Sequence, residues 1–291
     1  MEIIVLFNGL GNQMSQYAFY LSKKQHCDNC MVICETQLFH KARRAELTEI
    51  FKTDYRRTFI TAALEELFKF CRRKHLRKLF RCCGIDYVQE PKDCRFDKKF
   101  LGKQGHGLTF YYGVWASEKY YEGLSDIIRS AFTFPQIESS YYKEVSAKIL
   151  KAGEKSVSVH VRRGDYVKHP DFDGIATEKY YAKALEIIRE EVPGVHFFIF
   201  SNDPGWCRKF ISAGNTTIID PGNCSTAWVE MFLMSQCRHH INANSTFSWW
   251  GSWLGSQDGM TLCPDAWWNT SDTPDFYPDR WVKVDRQGNK V

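Results

Sequence analysis

The chain has 291 residues, 44% of them hydrophobic and 25% charged, an ordinary globular composition with room for two small domains. Its net charge of +5 is too weak and too scattered to argue for nucleic acid, and it suits a small anionic ligand such as a nucleotide diphosphate. Large-scale disorder is excluded on the same grounds.

Residues 2–7 (EIIVLF) form a short apolar run that predicts a buried parallel strand. Asn8-Gly-Leu-Gly then turns into a helix with Met14, Tyr17, Ala18 and Leu21 at helical spacing. Cys30–Cys34 predicts the next strand, 41–80 helices with strongly basic faces, and 108–115 strand and loop. Helices are expected over 118–132 and 139–152, with a linker at 152–155. The second half alternates more clearly. Strands are expected at 156–161, 195–200, 217–220, 240–243 and 260–263. Helices are expected at 177–192, 226–238 and 245–254, the first capped by Thr177 and striped by Tyr181, Ala184, Leu185, Ile188 and Val192. Such alternation implies a parallel sheet with helices on both faces.

Eleven cysteines, an odd number in a chain too large to need staples, do not read as a disulfide framework. Cys34, Cys207, Cys237 and Cys263 lie in apolar runs, where cysteine behaves as a small hydrophobe. The opening residues have no basic region followed by a long apolar one, and no stretch is long enough to span a bilayer. The expectation is a reduced, cytoplasmic protein, in which the sequons at Asn215 and Asn269 carry no meaning.

Three segments share a pattern in which polar residues follow a strand at once: His160-Val-Arg162-Arg163-Gly-Asp165-Tyr166, Ser201-Asn202-Asp203, and Asn244-Ser245-Thr246-Phe247-Ser248. Ligands of open α/β sheets bind outside the carboxyl ends of the strands, so the three are expected on one rim. Ser245 or Thr246 would open a helix, whose exposed N–H groups attract anions. Arg162 or Arg163 would supply a bidentate fork for a phosphate. The plainer reading, a helix cap and two salt-bridging arginines, stands beside this one on spacing alone.

HVRRGDYV at 160–167, FSNDPGW at 200–206 and MSQCRHHINANSTFSWWGSWL at 234–254, with GLGNQM at 9–14, together resemble glycosyltransferase family 11, the α-1,2-fucosyltransferases. The resemblance implies a GT-B-like fold, with two Rossmann-type domains facing across a cleft: 1–152 on the acceptor side and 153–291 binding a GDP-sugar. It implies inverting transfer of L-fucose from GDP-fucose to a galactosyl or similar hydroxyl of an oligosaccharide in α-1,2 linkage, with no metal and no cofactor. A different GDP-sugar or linkage, and a non-catalytic GDP-sugar binder, are the alternatives. By motif, Arg162 resembles the arginine on the β-phosphate of GDP. His160 and Asp203, beside Arg163 and Asn202, resemble the groups around guanine and ribose. Ser245, Thr246, Phe247 and Ser248 resemble the loop that wraps the diphosphate, and Asn12 a residue reaching the cleft from the other domain. Asn8 stands where the family usually has glycine. Ser15 stands for phenylalanine, which is expected to leave a smaller side chain near the cleft mouth.

Inversion needs a base for the acceptor proton. Asp165 is the candidate, and an equal reading makes it an anchor for Arg162 or Arg163. Glu230, amid Trp228, Val229, Met231 and Phe232, either reaches the nucleotide or sits at a solvated helix edge. Asp171-Phe-Asp173 reads as a loop rather than a metal-binding D-x-D, and the spacing of His26, Cys27, Cys30 and Cys34 as ordinary buried cysteine thiols rather than a zinc site. Most of Trp249, Trp250, Trp253, Trp267 and Trp268 read as core. The basic stretch 69–81, with Phe70, Leu76, Leu79 and Phe80 interleaved, either lies on an anionic membrane surface at the inner face, where a lipid-linked acceptor would sit, or is a solvated helix face.

Overall fold

The computed structural model describes residues 1–35, 46–105, 107–211, 214–220, 222 and 227–291. The part of the expected 41–80 helical region that precedes residue 46 lies outside the described residues. Two compact units emerge, one of Met1–Pro135 with Pro274–Phe276, the other of Gln136–Thr273 with Tyr277–Val291. Among the described residues no helix is long and apolar enough to cross a membrane, and every cysteine is a free thiol.

The first unit carries a four-stranded parallel sheet in the order β2-β1-β4-β3, from Glu2–Leu6 (β1), Cys30–Cys34 (β2), Ile85–Gln89 (β3) and Leu108–Tyr112 (β4). All five residues of β1 are buried, as a strand covered on both faces requires. Helix α1 (Leu10–Lys24) follows, then α2 (Glu46–Ile50), α3 (Phe59–Cys71) and α4 (Arg77–Cys82). The helix expected over 118–132 is broken at Gly123, whose φ of +79° is left-handed, so a 3₁₀ turn at Glu118–Tyr121 precedes α5 (Ser125–Ala131).

The second unit holds a six-stranded parallel sheet: Ser156–Val161 (β5), His196–Ser201 (β6), Thr216–Ile218 (β7), His239–Ile241 (β8), Thr261–Pro264 (β9) and Val282–Val284 (β10). Their spatial order is β10-β9-β8-β5-β6-β7. Counted within the unit this is the doubly wound order 3-2-1-4-5-6, and the order reverses between β5 and β8. Helices α6 (Ser140–Ala152), α7 (Glu178–Glu191), α8 (Pro204–Phe210), α9 (Trp228–Ser235) and α10 (Thr246–Leu254) complete it.

Sequence alternation in β5 (SVSVHV) would suit a half-exposed strand, yet all six residues are buried. Val157, Val159 and Val161 pack with Tyr181, Leu185 and Ile188 of α7 on one side. On the other, Ser158 Oγ satisfies His240 Nδ1 at 2.8 Å. The α6 residues Tyr142, Val145 and Ile149 pack with Phe198, Phe200 and Leu233. That packing ties α6 to the second unit, so the division falls after Pro135 rather than after residue 152. Strands β3 and β10 and helix α8 were not foreseen, and the residues expected as a linker form a 3₁₀ turn leading straight into β5.

Candidate functional site

The switch point of the second sheet gathers the three polar segments. His160 ends β5 and the arginines follow it; Asn202 and Asp203 follow β6; Asn244 to Ser248 follow β8. Because β6 and β8 flank β5 in parallel, all three segments leave the same edge. The expectation of one rim therefore holds.

Cross-ties fix the rim. Arg163 N–H donates to Asn202 Oδ1 at 2.9 Å, and its Nε to Asp203 Oδ2 at 3.2 Å. The Arg163 guanidinium also lies over the Trp206 ring, 4.6 Å from its centre. Asp203 in turn caps α8, its Oδ1 accepting from Trp206 N–H at 3.0 Å. Gly164 has φ of +36°, and a Cβ there would stand 2.5 Å from Asn202 Nδ2. Tyr166 closes the opposite side, its hydroxyl donating to the Asn244 carbonyl at 3.2 Å. Trp206 and Tyr166 lie within FSNDPGW and HVRRGDYV, whose pattern does not disclose their bracing roles; Asp-Pro-Gly-Trp, an N-cap followed by proline, is the sequence sign of α8.

Arg162 is held differently from Arg163. One terminal nitrogen, Nη2, reaches Asp165 Oδ2 at 2.8 Å, and the guanidinium lies 5.4 Å from the centre of the Tyr166 ring. Its Nε is buried without a hydrogen-bond partner. His160 is 5% exposed, and its Nδ1 is also buried and unpartnered. Burial first, and the neighbouring Arg162 second, push the imidazole down to about 3, so the ring is neutral. Tyr181 holds this residue by its backbone, donating to the His160 carbonyl at 2.9 Å. Arg162 Nε and His160 Nδ1 are thus two buried polar atoms without a protein partner at the switch point.

The third segment divides. Ser245 is the N-cap of α10, its hydroxyl accepting from Phe247 N–H at 3.4 Å. Ser248 is fully buried, and its hydroxyl turns back to the carbonyls of Ser245 (3.2 Å) and Ala243 (3.4 Å). Its hydroxyl therefore serves the turn. Thr246 and Phe247 remain partly exposed, and the Phe247 ring lies 5.6 Å from that of His160. Glu230 sits in the first turn of α9, beside α10. Burial alone pushes its carboxyl up to about 7.

Asn12 lies in the first turn of α1, in the first unit, and is partly exposed. The turn before it is pinned by Gln13, which donates to the Asn8 carbonyl at 2.7 Å. Asn8 has φ of +62°, a left-handed conformation that asparagine tolerates, which explains how it stands in for glycine. Ser15 is fully buried on the inner side of α1, its hydroxyl donating to the Gly11 carbonyl.

Of the cysteines expected to be buried, Cys27 and Cys30 are only half-buried. Asp171 accepts from Thr270 and Asp173 from Lys168 N–H, both within loops. Cys34 is buried and its thiol pushed up to about 12, first by burial. No group of three metal-ligating side chains occurs among the described residues. Trp249, Trp250, Trp253 and Trp267 are buried.

A doubly wound parallel unit with polar segments at its switch point is an architecture shared with nucleotide-binding α/β proteins. Comparison with known proteins narrows the class. The family model for Glycosyl transferase family 11 matches residues 3–285. The chain is 31% identical to an alpha-1,2-colitosyltransferase of Escherichia coli, over 98% of this chain and all of that one. It is 28% identical to human galactoside alpha-(1,2)-fucosyltransferase 1, over 59% of this chain and 51% of that one. Among solved structures, a mutant of Arabidopsis thaliana FUT1 in complex with GDP superposes with a TM-score of 0.51 at 11% identity, covering 94% of this chain and 75% of that one, a likeness of fold. The chain belongs to glycosyl transferase family 11. It is a glycosyltransferase of the GT-B class that uses a nucleotide sugar.

Proposed function

We propose that the protein transfers L-fucose from GDP-fucose to a galactosyl or similar hydroxyl of an oligosaccharide, forming an α-1,2 linkage with inversion and without a metal. The observation that carries this reading is the pair of buried, unpartnered atoms at the switch point, Arg162 Nε and His160 Nδ1. A diphosphate laid along the carboxyl edge of β5 satisfies the first. The nucleoside satisfies the second, because a neutral imidazole can accept or donate as its tautomer requires.

In this mechanism Arg162 binds the β-phosphate and stabilises the charge that grows on departing GDP. Arg163 is committed to Asp203 and Trp206, and acts by shaping the rim. Thr246 and the start of α10 face the diphosphate, where helix N–H groups favour an anion. Asp165 orients Arg162. The acceptor proton leaves to Asp165 or to the leaving diphosphate, a choice taken up below.

A second reading keeps the fold and linkage and changes the sugar. It is favoured by the colitosyltransferase relative, which spans nearly the whole chain. Donor hydrolysis and transfer with GDP-fucose, GDP-colitose, GDP-mannose and a UDP-sugar, all in EDTA, separate the readings. Turnover of GDP-fucose alone supports the first. Preference for GDP-colitose supports the second. GDP binding with no turnover on any acceptor marks a binding protein, and activity restored only by manganese overturns the metal-free mechanism.

A further inference from the structure

The slight net charge of the chain is not evenly spread. Residues 56–81 carry nine Lys and Arg against two Glu, a surplus of seven in a chain whose total is +5. The remainder is therefore net acidic, and the positive charge lies on one strip of the first unit.

The strip is built by α3 and α4. Helix α3 buries Thr61, Glu65, Phe68 and Cys71, one stripe at helical spacing. Its opposite stripe, Phe59, Ala63, Glu66 and Phe70, points outward. Phe59 is 89% exposed and its neighbour Ile60 61%, and on α4 Leu79 is 62% exposed. With Phe70 these make four of the nine exposed large hydrophobic residues described, all within 59–81. Around them Arg56, Arg57, Arg73, Lys74, Lys78 and Arg81 are exposed. Of the two acids, Glu65 is buried, and Glu66 is ion-paired to Lys69. Arg72 is ion-paired to Glu35 and Arg81 to Asp86 at 3.5 Å, and Arg77 lies over the Tyr87 ring.

We propose that this face of α3 and α4 docks on an anionic lipid bilayer. Exposed aromatic and aliphatic side chains on an unpartnered helix face are costly in water unless a partner covers them. With basic side chains exposed along the same segment, they match the layered chemistry of a bilayer edge, with anionic headgroups above acyl chains. A nucleic acid would use the charges and leave Phe59, Ile60 and Leu79 in water. The helices lie in the interface plane, with Phe59, Ile60 and Leu79 inserted and the arginines and lysines among the headgroups. This surface is independent of the donor site, and its test does not require the donor to be known.

The test is co-sedimentation of the full chain with phosphatidylcholine vesicles, with and without phosphatidylglycerol, across a salt series. Binding is expected to the anionic vesicles and to weaken as salt rises. Each basic side chain near such a surface strengthens binding about fivefold, so the double variant R73E/K74E is expected to bind at least ~25-fold more weakly. The pair F59S/I60S removes inserted apolar area and is expected to weaken binding at least ~10-fold. K143E/K148E, a charge reversal on α6 of the second unit, leaves it unchanged. Circular dichroism and thermal melting confirm that the variants are folded. Equal binding to neutral vesicles, unchanged binding by both variants of α3 and α4, or binding to a DNA duplex through the same residues without binding to vesicles would overturn the proposal.

Discussion

Arg162 and Asp165 form an ion pair across one turn at the end of β5, with Nη2 2.8 Å from Oδ2, while Arg162 Nε stays buried and unpartnered. The carboxylate thus engages one terminal nitrogen of the guanidinium and not Nε. Arg163, one residue on, is spent on Asp203.

Arg162→Ala is expected to lower turnover by on the order of 10²–10³, the loss typical of a donor that stabilises developing negative charge. Arg162→Lys should recover little, since lysine keeps the charge but not the planar fork. Turnover and GDP calorimetry on both variants check this. A lysine variant at near wild-type rate would assign the arginine to structure alone.

Asp165→Asn separates the two readings of that carboxylate. Its contact with Arg162 predicts that GDP affinity and rate fall together, because the amide holds the guanidinium more weakly. Should affinity stay intact while kcat drops roughly 10²–10⁴-fold, Asp165 takes the acceptor proton instead. Calorimetry set beside kcat distinguishes the outcomes.

Gly164→Ala tests the brace under both arginines. At φ of +36° a side chain is strained, by about 1–2 kcal/mol, and its Cβ meets Asn202 Nδ2 at 2.5 Å. The Arg163 N–H to Asn202 bond should break, with a lower melting temperature and weaker GDP binding. Unchanged melting would show that the turn relaxes around the methyl group.

Much of the second unit was legible because buried parallel strands are short apolar runs and the polar residues start where those runs stop. His160, Asn202 and Asn244 announced the rim that way. What pattern could not show was pairing: nothing in RRGD says that Arg162 takes Asp165 while Arg163 takes Asp203, forty residues on. Nor does NSTFS say that the Ser248 hydroxyl turns inward. Strand β3 (IDYVQ) escaped notice because it is a half-buried edge strand with an acid inside it, and α8 because a seven-residue helix has too few positions to show a period.

Glu230 supplies the sharpest dependence on pH. Burial raises its carboxyl from the ordinary 4.5 to about 7, with no charge contributing. The folded state therefore binds its proton more tightly than the unfolded one, and this group's contribution to stability falls as pH rises from about 4.5 to about 7. A nucleotide that donates hydrogen bonds to the carboxylate acts in the opposite direction, because it favours the ionised form. The N–H groups on the guanine edge are such donors. If Glu230 reads guanine, GDP affinity should rise through about pH 7 and level off above it. Glu230→Gln should flatten both trends and narrow the preference for GDP over ADP, since its amide puts an NH2 donor where the carboxylate has a second acceptor oxygen. Isothermal titration of GDP and ADP from pH 5.5 to 8.5, on wild type and variant, is the measurement. The same pH profile in both proteins would place Glu230 at a helix edge, with no part in recognition.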